Sequence, residues 1–127
     1  CRWLLRTHDN AFSALKLLDF YLNEFPVGGA QAVIECISCG IPALAMNWGT
    51  RHPECVGADI IGPEFAIMER NLSAYTGRAI EWANNPAERA RAGKALLERA
   101  KKLYSAESFI HQLCALAIKI AESKRKP

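Results

Sequence analysis

Two adjacent glycines, Gly28 and Gly29, followed by a lone carboxylate at Glu35, are the residues of this chain best placed to do chemistry. They lie in FPVGGAQAVIECISCGIPAL, residues 25–44, a stretch otherwise almost wholly apolar. Glycine lets the backbone approach a ligand with no side chain in the way. The free N–H groups of a helix's first turn, together with its dipole, favour an anion, typically a phosphate. Glu35 has Ala30, Ala32, Val33, Ile34, Cys36 and Ile37 for neighbours. A carboxylate buried among them must be hydrogen-bonded, since an unsatisfied buried polar group costs about 1–3 kcal/mol. Helical side chains lean toward the N-terminus, so Glu35 reaches toward the phosphate end. There it is placed to accept hydrogen bonds from a ribose 2′- and 3′-hydroxyl pair. The plainer alternatives are a simple turn at the glycines and an exposed, dipole-favoured acid at Glu35. The loop NWGTRHPE adds Arg51 and His52, residue types that are also common on surfaces. No catalytic residue is assigned.

The elements that must position these groups follow from periodicity and punctuation. NAFSALKLL reads as a short amphipathic helix and DFYLN as a strand ending at Asn23. EFPVGG is a loop, and residues 30–39 form a helix stopped by Gly40 with Pro42 just beyond. ALAM is a short apolar run suited to a strand buried on both faces, and FAIM is a third strand candidate. Everything after Asn71 reads as helix. Asn71 is an N-cap candidate, with Leu72, Tyr75, Ala79 and Trp82 on one face. Pro86 suits the first turn of a second helix running to about Tyr104. Ser105 or Ser108 caps a third, which is expected to carry Phe109, Leu113, Leu116 and Ile120 inward. The expected fold is therefore α/β: a partial Rossmann-like parallel sheet of about three strands flanked by helices, with a helical C-terminal third. Three strands are few for such a sheet, so the chain reads as part of a longer protein. The absence of an initiator Met points the same way.

The totals narrow the class. The 127 residues, half of them hydrophobic, suit one domain with a core. No run of 18 apolar residues marks a membrane span, and the first residues do not read as a signal peptide. Five scattered cysteines include one close pair, Cys36 and Cys39, with no second pair to complete a zinc site. A metal site would need these two to meet His52 and Cys55; small apolar thiols in a reduced, cytoplasmic interior are the simpler reading. Residues 1–85 hold 6 Lys/Arg against 9 Asp/Glu, whereas residues 86–127 hold 10 against 4. The stretch RARAGKALLERAKK, residues 89–102, has no aromatic residues interleaved with its basic ones to stack on bases, which speaks against nucleic acid.

The run DFYLNEFPVGGAQAVIECISCGIP, residues 19–42, resembles the nucleotide-sugar-binding signature of GT-B glycosyltransferases. It is most similar to the group of O-linked N-acetylglucosamine transferases and bacterial protein N-glucosyltransferases. Asp19, Leu22, Pro26, Gly29, Glu35, Gly40 and Pro42 match that group's spacing without a gap. The stretch from Leu72 to Phe109 is similar to the closing helices of such proteins. The resemblance implies a C-terminal portion of a GT-B nucleotide-sugar-binding domain, with residues 1–70 as its α/β part and 71–127 as its closing helices. It implies that Gly28, Gly29, Ala30, Gln31, Ala32 and Arg51 line the diphosphate of a UDP-sugar, and that Glu35 binds the ribose. No metal or other cofactor is implied, because helix N–H groups and a basic side chain stabilise the leaving diphosphate. Gln31 and Ala32 stand where the family has two threonines, and Asn23 where it has a second aspartate. The acceptor domain has no counterpart in this chain, so the chain by itself is expected to lack turnover. The rival expectation is a non-catalytic α/β domain that keeps the fold and acts through partners, or through oligomers formed at an exposed sheet edge.

Overall fold

The computed structural model describes residues 15–26, 28–48 and 57–123. Two short parallel strands, β1 (Tyr21–Leu22) and β2 (Ala43–Leu44), pair Tyr21 with Ala43 and Leu22 with Leu44. Helix α1 (Ala30–Ser38) lies between them in the chain. Four further helices follow: α2 (Gly57–Ile61), α3 (Leu72–Asn84), α4 (Pro86–Tyr104) and α5 (Ala106–Ser123). The expected three-stranded, partial Rossmann-like sheet is not what forms. The structure is mostly helical, at 64% helix, with a sheet of two strands. The FAIM candidate contributes a single parallel bridge, Met46 to Ile67. It is held by the Ile67 amide on Ala45 O at 2.9 Å and the Asn47 amide on Ile67 O at 2.7 Å. Gly62 and Pro63 precede this segment and Asn71 caps a helix just after it, leaving too few residues to extend the ladder.

The helices begin and end where local chemistry dictates. At the end of α1 the Ile41 amide donates to Cys36 O and the Gly40 amide to Ile37 O, a Schellman motif. It requires the left-handed backbone of Gly40, at φ 76°. Asn71 Oδ1 accepts from the Ala74 amide and Asn85 Oδ1 from the Glu88 amide, capping α3 and α4. Pro86 occupies the first turn of α4, and that helix ends at Tyr104 as its sequence implies. Ser105 Oγ accepts from the Ser108 amide at the start of α5. The carbonyls that end α2, Asp59 and Ile60, accept from the Arg99 guanidinium on α4.

One core joins both parts of the chain. Val33, Ile37, Leu44, Ile61, Trp82 and Leu96 are its largest closed members, drawn from α1, β2, α2, α3 and α4. Helix α4 lies directly on α1 because Gly93 has no side chain. A Cβ there would stand 2.3 Å from Gly40 O and 3.3 Å from Pro42 Cδ. On α3, Tyr75 and Trp82 turn inward as their spacing implies, whereas Leu72 is exposed. The inward stripe expected of α5 does not form: Phe109, Leu113, Leu116 and Ile120 all face outward. That helix begins only one residue after α4 ends, and the residues from Phe109 to Ile120 are all exposed.

Substituting Gly93→Ala is expected to destabilise the protein by about 1–3 kcal/mol, because a backbone carbonyl cannot retreat as a side chain can. Gly77→Ala, at an exposed α3 position with nothing within 4 Å, should be neutral or stabilise by up to about 1 kcal/mol. Thermal unfolding of the two variants checks the contrast.

Candidate functional site

The described residues assigned to ligand binding, Gly28, Gly29, Ala30, Gln31, Ala32 and Glu35, lie where the chain leaves the carboxyl end of β1 and enters α1. Asn23 is the hinge of that passage. Its amide donates to Leu44 O at 2.9 Å, and its carbonyl accepts from the Tyr75 hydroxyl at 2.9 Å. Burial pushes the Tyr75 hydroxyl pKa up to about 12, with the charge of Glu24 adding to it. The Asn23 side chain, 4% exposed, is wedged between two glycines. A Cβ on Gly28 would stand 2.4 Å from Asn23 Nδ2, and one on Gly57 2.1 Å from it. Gly28 is therefore required by packing within the protein, whatever it does for a ligand. Asn23 Oδ1 is buried and has no hydrogen-bond partner.

The next residue supplies an anion from within. The Gly29 amide donates to Glu24 Oε1 at 3.0 Å, and the Tyr21 hydroxyl donates to Glu24 Oε2 at 2.8 Å. Its own backbone amide, Tyr21 and Gly29 together hold the Glu24 carboxyl below its usual value, against a smaller opposing effect of burial. Tyr21 is raised in turn, first by burial and then by its bond to Glu24. Gly29 is the N-cap of α1 and provides no side-chain cap, and the first turn contains no acidic residue. The amides of Ala30, Gln31 and Ala32 belong to that turn, where a helix has no acceptors of its own.

Glu35 is half-buried, less enclosed than its apolar neighbours imply. It does lean toward the start of α1: its Oε1 accepts from Gln31 Nε2, one turn earlier, at 2.8 Å. Gln31 thus turns its amide to the carboxylate. Three other matched positions, Asp19, Gly40 and Pro42, have structural roles, whereas Leu22 is exposed. Asp19 pairs with Arg89 at 3.2 Å, Gly40 ends α1, and Pro42 packs near Gly93. Arg51 and His52, like Cys55, lie outside the described residues.

Several residues at this edge were not singled out by sequence. Phe25 stacks on Trp48 with centroids 5.2 Å apart, and meets Tyr75 edge-on at the same distance. Arg70 lies over the Trp48 ring, 4.1 Å from its centroid. The three segments that end here, 23–25, 47–48 and 67–70, thus place an aromatic cluster and a cation beside the glycine loop. The signals existed: Glu24 stands five residues before Gly29, and Tyr75 carries a hydroxyl on an inward face. Among the described residues no group of three or more His, Cys, Asp or Glu is arranged to hold a metal. Cys36 is a buried thiol whose pKa burial, helped by the nearby Cys39 and Glu35, pushes up to about 11. No described helix is long and apolar enough to cross a membrane. No protein-family model, curated protein or solved structure matches the chain.

Because the Glu24 carboxyl is held below its unfolded value of about 4.5, its contribution is present above that pH and is lost as pH falls through the lower folded value. Glu24→Gln should therefore destabilise the protein at about pH 6, with the difference from wild type shrinking by about pH 3. Urea midpoints at the two pH values check this.

Proposed function

We propose that this chain is the diphosphate- and ribose-binding portion of a glycosyltransferase that takes its sugar from a nucleotide sugar, with a UDP-sugar as donor. The observation that carries this reading is the start of α1, a helix with a glycine N-cap and no side-chain cap. Glu35 follows on the next turn and leans back toward the same end. The residues match the GT-B signature in spacing, and their local arrangement supports the two contacts that signature implies. The amides of Gly29, Ala30, Gln31 and Ala32 would hold the diphosphate, and Glu35 would accept from the ribose after Gln31 swings aside. Arg70, on the same edge, is a source of positive charge besides Arg51. Diphosphate would have to displace Glu24 from the Gly29 amide, since both are anions seeking one donor.

That last contact favours a second reading, a non-catalytic domain in which Glu24 permanently occupies the anion position and the protein acts through partners or oligomers.

Titration calorimetry of UDP and a UDP-sugar into the chain separates the two readings. The first expects a Kd of millimolar or tighter, weakened roughly tenfold or more by Glu35→Ala, since hydrogen bonds to a charged group contribute about 1.5–3 kcal/mol. It also expects Glu24→Gln to tighten binding by releasing the Gly29 amide. Absence of binding by both the wild type and the Glu24→Gln variant would overturn it in favour of the second.

A further inference from the structure

We propose that α5 is a self-association element, through which two copies of this chain pair their α5 helices antiparallel. Helix α5 spans 18 residues, about 27 Å at 1.5 Å per residue. In proteins most of a helix's stability comes from packing its apolar face rather than from propensity. Yet Phe109, Leu113 and Leu116 are 64%, 54% and 55% exposed, and Ile120 is 48% exposed. Their spacing of four, three and four residues is a heptad seam, the stripe by which one helix packs against another. Ile110 and Ala117 border it on one side, Gln112 and Lys119 on the other.

The seam is its own complement. About a two-fold axis between Cys114 and Ala115, Phe109 faces Ile120 of the second copy and Leu113 faces Leu116, so one patch serves both partners. The bordering rows then place Gln112 beside Lys119 and Ile110 beside Ala117, with no like charges opposed. The antiparallel sense also places the two globular bodies at opposite ends of the pair, since each is joined to α5 through Ser105. Phe109, Ile110, Leu113, Leu116 and Ile120, each about half exposed, offer roughly 500 Å² per copy, or about 1,000 Å² for the pair, the lower bound for a specific interface and the size of a weak, reversible dimer. Ile118 lies on the opposite side of the helix and takes no part. This pairing differs from assembly at a sheet edge, because β1 is only two residues long. It is also independent of nucleotide binding.

The test is the mass of the full chain in solution at about 100 μM, measured by light scattering after size exclusion. Wild type is expected at twice its 14.1 kDa, and the double variant Leu113→Glu/Leu116→Glu at 14.1 kDa. Ile118→Glu, the same kind of change on the far side of the helix, should leave the dimer intact. Circular dichroism and thermal unfolding check that the body survives, as expected for residues outside its core. A monomeric wild type would overturn the proposal, leaving the seam to some other partner. A dimer that survives the double variant would overturn it too, as would one abolished equally by Ile118→Glu.

Discussion

The bare contact between Gly93 and the Gly40 carbonyl is the constraint on which the rest of the molecule depends. It sets the distance at which α4 lies on α1, and only a residue without Cβ permits it. Once α4 is seated there, Arg99 reaches the end of α2 and Arg89 reaches Asp19 ahead of β1. The small sheet is then enclosed on the α1 side and roofed by α3 through Tyr75 and Trp82. Residues from α1, β2, α2, α3 and α4 thereby share one core. A two-stranded ladder is at best marginally stable alone, so its survival here reflects the helices around it.

The same geometry explains why the candidate site looks as it does. β1 and β2 stop after two residues each, and beyond them a few backbone bonds and several side-chain contacts arrange the chain. Asn23 is clamped by two glycines, and Glu24 folds back to the start of α1. Phe25 joins Trp48 and Tyr75 in an aromatic cluster topped by Arg70. The described residues of this loop are thus held by contacts within the protein. The buried, unpartnered Asn23 Oδ1 is an exception in an otherwise well-paired loop.

Local signals were legible in the sequence, and global ones less so. Asn71, Pro86, Gly40 and Ser105 mark helix ends by chemistry acting within four residues, and each does so in the structure. The leaning of Glu35 toward Gln31 is equally local. What periodicity cannot report is which apolar stripe finds a partner: α3 and α5 have similar stripes, but only that of α3 meets the core. Nor can composition distinguish a strand from a segment too short to pair, which is why FAIM contributes a bridge and no third strand. The Glu24 contact escaped because it joins Glu24 to the Gly29 amide, five residues on, and no local periodicity reports such a return.

The Tyr75 hydroxyl has a consequence for the order in which this protein assembles. It joins Asn23 and Leu44, residues 52 and 31 positions earlier, at the point where the two strands end. A nascent chain that has emerged only as far as β2 therefore lacks both this clasp and the helix that covers it. Contacts so distant in sequence carry a large loop-closure entropy and form late. During synthesis the Tyr75 clasp on Asn23 and Leu44 can close only after α3 has left the ribosome. The middle third of the polypeptide, through α3, thus dictates when the ends of the two strands before it are locked together.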